Sequence, residues 1–232
     1  MVQLDDKANE LLKEIRQFSE ISFEIHNENY CGVSQQNNKA TIYYNPNNFS
    51  NSSIVHELLH IWLNKFEYFV GNHIYLICVS NPKLSTVFSK FLCDYIENVF
   101  DHYKMYPRYK EMGYSDEEFI VNGLKEKCSI QDIKQLSIKF LNVYRAESIN
   151  RFIGYLLSIY ADHVSHDYSE HIKLLKAKDP QLFQIVSEFW NRWVNFDVTN
   201  VDSLYNNPFD VSDPFIDEME NRIVNKKLSN NS

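Results

Sequence analysis

The residues with the clearest chemical potential stand in the run Ile54-Val-His-Glu-Leu-Leu-His-Ile-Trp62. His56 and His60 are four positions apart, so on a helix their imidazoles lie one above the other on one face. Two imidazole nitrogens at that spacing can share one zinc ion. Glu57 follows the first histidine and projects to the side of the pair, where a carboxylate can hold a water beside the metal without ligating it. In a chain with 8 His among 232 residues, H-E-x-x-H is expected by chance only about 0.02 times. The competing reading is a pair of core histidines satisfied by neighbouring polar groups.

These residues need a helix to carry them. Asn47-Asn-Phe-Ser-Asn-Ser-Ser53 is rich in residues that cap helix N-termini, and helical periodicity runs from about 52 to 66. Ile54, Val55, Leu58, Leu59, Ile61, Trp62 and Leu63 cover roughly half of the helical wheel. The remaining sector holds Ser53, His56, Glu57, His60 and Asn64. A solvated stripe would carry Lys, Arg and several acids. This one carries ligand-type residues beside a broad apolar face, as a buried active-site helix should.

The motif resembles that of the zincin metallopeptidases. The likeness extends over the strand Ala40–Tyr44, the helix with His56-Glu57-Leu58-Leu59-His60 and the next long helix. In that family an edge strand ahead of the zinc helix takes the peptide substrate by strand addition, and the order here, strand then helix, is similar. The metzincin continuation H-E-x-x-H-x-x-G-x-x-H is absent: Ile-Trp-Leu-Asn-Lys-Phe follows His60. Gluzincins take a Glu from a later helix, and the thermolysin-like ones place an Asp four residues beyond it. Asp94-Tyr-Ile-Glu97-Asn-Val-Phe-Asp101-His102 offers Glu97 and Asp101 at that spacing. The resemblance therefore implies His56, His60 and Glu97 as ligands of one Zn2+ per chain, with Asp101 orienting an imidazole from behind. Ile96 stands where that family has Asn, and Asp101 or His102 remains open as the third ligand. The competing reading of Glu97 is a solvated stripe shared with Lys90, Asp94, Asp101 and Lys104, yet Glu97 and Asp101 would repel at i, i+4 without a cation nearby.

The implied chemistry is hydrolysis of a peptide or protein substrate. Three protein ligands leave a fourth position open to water, whose pKa the zinc lowers toward about 7. Glu57 would accept the proton as general base and pass it to the leaving amine. An oxyanion donor is also needed. Arg145, Tyr155, Tyr160, His163 and His166 are candidates near the end of a helical pattern over 130–162, and none lies in a recognisable motif. His163, His166, Asp167 and His171 fit no standard metal spacing and read as a solvated helix end. The alternatives to a peptidase are a zincin-fold binding or regulatory protein without turnover, and a zinc amide hydrolase acting on a non-peptide substrate.

Composition narrows the field. Net charge is −8 with 44% hydrophobic and 23% charged residues, which suits a globular chain and gives no basic stripe to follow a phosphate backbone. The aromatic residues, 15% of the chain, read as core, since no cations interleave with them. Only 5 Gly and 6 Pro occur, too few for a turn-rich sandwich or barrel and with no Gly-rich phosphate loop. The opening residues lack the apolar core of a signal peptide, and no run approaches the ~18 apolar residues of a membrane span. Cys31, Cys78, Cys93 and Cys128 are scattered and read as reduced thiols of a cytoplasmic protein.

The expected architecture is α+β and mainly α, zincin-like: a small N-terminal antiparallel sheet followed by packed helices. Residues 5–20 read as an amphipathic helix, and 21–25, 29–34 and 38–46 as strands. Helices follow at about 52–66, 82–106 (opened by Pro82 and stopped by Pro107), 115–126, 130–162 and 180–196, with a short one near 214–226. Residues 1–197 form one domain, and 198–232 an acidic C-terminal extension wrapping the surface, its last residues expected to be disordered.

Overall fold

The computed structural model describes residues 3–120, 123–141, 143–164, 166–200 and 206–229. The protein is mainly helical with a small N-terminal sheet, and its residues fall into two compact units. Unit 1 comprises Met1–Glu67 and Tyr103–Lys125; unit 2 comprises Tyr68–His102 and Glu126–Ser232.

Unit 1 opens with α1 (Asp6–Ile15), capped by the Asp5 carboxylate, which accepts from the Ala8 amide at 2.8 Å. Ala8, Leu11, Leu12 and Ile15 form its buried stripe. Three strands follow: β1 (Glu20–Ile25), β2 (Gly32–Gln36) and β3 (Lys39–Tyr44). The sheet order is β1-β3-β2. β2 and β3 form a hairpin whose turn is eased by Asn37 at φ 55°, a conformation Asn tolerates. β1 pairs with β3 in parallel, Phe23 opposite Ile42. The sheet is therefore mixed, correcting the antiparallel expectation. β3 is its central strand, so Ala40–Tyr44 is no edge. Its buried residues, Ala40, Ile42 and Tyr44, alternate with more exposed ones, the pattern of a strand packed on one face. That sheet packs against α2 (Asn51–Asn64), which also packs on α1. Trp62 of α2 donates from its indole to Glu14 at 2.9 Å, and Glu14 also pairs with Arg108.

Unit 2 contains α3 (Val70–Val79) and the single turn α4 (Leu84–Val87). The long helix α5 (Lys90–Glu111) begins here and runs without a break into unit 1, the division falling between His102 and Tyr103. The expected helix over 82–106 is thus two helices. Ser89 separates them, its hydroxyl accepting from the Leu92 amide at 3.2 Å as a new cap, while Asn150 satisfies the Val87 carbonyl at 2.9 Å. At the other end Pro107 does not stop α5. It is exposed, and the buried Met105 and Tyr109 on either side keep the chain helical despite the missing N–H.

The 115–126 pattern yields only α6 (Asp116–Phe119) in unit 1; Val121 and Asn122 lie outside the described residues. The 130–162 pattern also breaks. α7 (Ile130–Gln135), with a Ser129–Asp132 capping box, is followed by β4 (Lys139–Phe140) and β5 (Val143–Arg145), then α8 (Ala146–Tyr160). β5 pairs with the remote β6 (Lys227–Ser229), Tyr144 opposite Leu228, and that pairing draws the segment out of the helix.

α9 (Ser169–Lys178), α10 (Pro180–Asn195) and α11 (Phe209–Ile223) complete unit 2. Its core gathers Phe100, Phe189, Trp193 and Phe215, with Phe189 and Phe215 rings stacked 4.0 Å apart. α11 buries Val211, Phe215, Ile216, Met219 and Ile223 against α10 and α3, so this part of the expected surface extension belongs to the core. Residues 201–205, and the last residues 230–232 that were expected to be disordered, lie outside the described residues. Among the described residues no helix is long and apolar enough to cross a membrane.

Candidate metal centre

α2 forms where its sequence begins with hydroxyl caps. The Ser50 hydroxyl accepts from the Ser53 amide and the Ser53 hydroxyl accepts from the Ser50 amide, each at 3.1 Å, a reciprocal box that fixes the helix start. Ile54, Val55, Leu58, Leu59, Ile61 and Leu63 are fully buried. Their burial sets the rotation of the helix and leaves His56, Glu57 and His60 half-buried on the remaining face. The two imidazoles stack edge to face with centroids 5.0 Å apart. They are joined by His102 from α5. One ligand atom from each of His56, His60 and His102 lies within 4.8 Å of the others, the one such group of His, Cys, Asp or Glu among the described residues. Three nitrogen donors converging in this way suit a borderline metal such as zinc.

Burial tunes the neighbours. It pushes the His56 pKa down to about 3, with His60 beside it acting in the same direction, so this imidazole is neutral and keeps a lone pair for a metal. Burial raises the Glu57 carboxyl to about 7, with His60 pulling it back down. The Cys31 thiol, just before β2, is lifted to about 12, first by burial and then by the Glu57 charge. Cys31 is thus a protonated, unreactive neighbour of the candidate base.

Glu97, the expected third ligand, is placed elsewhere, and His102 stands in the group instead. One Glu97 carboxylate oxygen accepts from the Gly71 amide at 2.6 Å and from the Asn72 amide at 3.1 Å. Helix α3 has no side-chain cap of its own, since Phe69 occupies that position. Glu97 supplies the missing cap from a different helix, satisfying two orphan N–H groups at the positive end of the α3 dipole. The approach is close enough to require glycine: a Cβ on Gly71 would meet the Cys93 carbonyl oxygen at 2.2 Å and the Glu97 Cβ at 2.9 Å. Burial first, and then the Asp101 charge, raise the Glu97 pKa to about 8. Asp101 accepts from the Tyr68 hydroxyl at 3.3 Å, just ahead of α3. That phenol is held well above its ordinary pKa by burial and by the Asp101 and Glu97 charges, and remains a donor. The Glu97/Asp101 pair thus secures the start of α3.

The five oxyanion candidates all lie in unit 2. Arg145 ends β5 and its amide donates to the Ile138 carbonyl at 3.0 Å. Tyr155 and Tyr160 lie on α8, and the Tyr160 hydroxyl is engaged with Ser187 at 2.8 Å. His163 is half-buried in the loop after α8. His166 pairs through Nδ1 with Asp162 at 2.7 Å, and that carboxylate also receives the Tyr168 hydroxyl at 2.9 Å and Lys127 at 3.2 Å. These contacts tie the loop together, and neither His163 nor His166 belongs to the His56/His60/His102 group.

His102 was visible in the sequence as an imidazole on the same helix as Glu97. Nothing in the spacing ranked it above its acidic neighbours. Compared with protein-family models, with curated proteins and with solved structures, the chain matches none.

Proposed function

We propose that the chain is a zinc-dependent peptidase with a zincin-like centre, its metal held by His56, His60 and His102 and its general base supplied by Glu57. The observation that carries the proposal is the convergence of those three imidazoles within 4.8 Å beside the acidic residue of an H-E-x-x-H helix. The third ligand is then a histidine, a departure from the Glu-ligated pattern that the sequence resemblance implies. When bound, zinc supplies a Lewis acid that polarises the scissile carbonyl and acidifies a coordinated water. Glu57 would receive that proton on its carboxylate and return it to the leaving nitrogen. β3 is central, so an extended substrate would align on the free edge of β2, whose Gln35 accepts from Asn64 of α2 at 2.8 Å.

Elemental analysis of protein purified without chelator should give about one zinc per chain. Glu57→Gln should retain that zinc and lose hydrolysis of a mixed peptide library read by mass spectrometry. A metal-free protein with its fold intact, or undiminished turnover by Glu57→Gln, overturns the proposal.

A further inference from the structure

A metal-bound imidazole works best when its second nitrogen is fixed by a hydrogen bond, because that bond sets the tautomer and the ring plane. In unit 1 the candidate for this task comes from α6, a single turn that is firmly anchored. The Tyr106 hydroxyl donates to the Asp116 carboxylate at 2.6 Å, and Lys110 pairs with the same group at 2.6 Å. At the end of the turn Phe119 is 2% exposed. Its ring centroid lies 5.1 Å from that of His56, 5.1 Å from Tyr106 and 4.8 Å from Tyr109. Its backbone carbonyl accepts a hydrogen bond from the His56 ring.

The geometry points to Phe119 as a positioning residue for His56, its carbonyl holding the proton on one imidazole nitrogen so that the other presents its lone pair to the metal. The inference rests on the metal-site reading above. The acceptor is a main-chain atom, so the phenyl ring acts indirectly: wedged among His56, Tyr106 and Tyr109, it keeps the carbonyl in place and stops the imidazole from turning. Tyr106 and Tyr109 belong to the same helix as His102, in the turns that follow it. The ring therefore braces one ligand directly and the continuation of the helix that carries another.

The test uses the full chain, with Zn2+ titrated calorimetrically and Co2+ as a spectroscopic probe. Phe119→Ala should bind Zn2+ roughly tenfold to a hundredfold more weakly and give an altered visible Co2+ spectrum, while Phe119→Leu, which keeps much of the apolar bulk, should largely restore both. A Phe119→Ala protein that melts earlier but binds with wild-type affinity and spectrum overturns the inference, since the ring would then serve stability alone. If the variants do not fold, nitrogen-15 spectra of metal-free wild-type protein decide: His56 should show one neutral tautomer with a protected ring N–H, and a rapidly averaging mixture overturns the assignment. Wild-type protein that takes up neither ion overturns the metal-site reading itself, an outcome distinct from equal binding by wild type and Phe119→Ala.

Discussion

Two helices of this molecule carry ligand-type residues at the same i, i+4 spacing. On α2 the pair is His56 and His60; on α5 it is Glu97 and Asp101. The first pair meets a third imidazole, while the second meets the bare N-terminus of α3 and the Tyr68 hydroxyl. Spacing says which side chains share a face, and what that face meets depends on the packing of distant segments. On α5 the two acids coexist because burial and the Asp101 charge raise the Glu97 pKa to about 8, so Glu97 keeps its proton at neutral pH while one of its oxygens accepts from two amides.

The comparison breaks most visibly at His102. His102→Ala should lower Zn2+ affinity about a hundredfold or more, on the order of 3 kcal/mol, whereas Glu97→Gln should leave metal stoichiometry unchanged. Calorimetric titration of the two variants side by side reverses the comparison if Glu97→Gln is the one that loses metal.

The structural role of Glu97 has its own pH signature. Its folded pKa is raised from 4.5 to about 8, so the folded chain holds a proton that the unfolded chain has released. The stabilisation this gives is complete below about pH 4.5 and fades as pH rises through about 8. Urea unfolding of metal-free protein should therefore show stability falling across that window, and Glu97→Gln should flatten the fall. An identical slope in both proteins removes Glu97 as its source.

Two smaller effects sharpen the contrast between the helix starts. Gly71→Ala places a methyl into the Cys93 carbonyl, and the overpacking should cost about 1–3 kcal/mol in denaturant unfolding. Ser50→Ala removes the hydroxyl that caps α2 and should cost about 1 kcal/mol. α3 is capped from another helix and α2 from its own first turn. The Gly71 variant should accordingly disturb the α3–α5 contact, read as faster amide exchange at Gly71 and Asn72, while the Ser50 variant should leave those amides unchanged.

Much was legible locally. The cap-rich run of 47–53 and the strand pattern over 38–46 are short-range signals, and α2 and β3 form within about two residues of where those signals place them. The same holds for the helix expected over 180–196, which forms over Pro180–Asn195. No local signal marks α3, because it is largely apolar and borrows its cap from Glu97. The 130–162 pattern misled because Tyr144 pairs with Leu228, a partner that no local window contains.

The sequence by itself determined the chemistry available: two imidazoles and a carboxylate on one helical face, set by helical periodicity alone. Only the tertiary structure decided which residue of α5 joins them. Glu97, Asp101 and His102 all lie within two turns of one helix, and burial of neighbours such as Phe100 and Met105 fixes its rotation. Glu97 and Asp101 share a face, while His102, one residue beyond Asp101, points about 100° away from it, so the rotation of α5 decides whether an acid or an imidazole is presented. That rotation depends on contacts made across the whole chain, and no spacing within the helix encodes it.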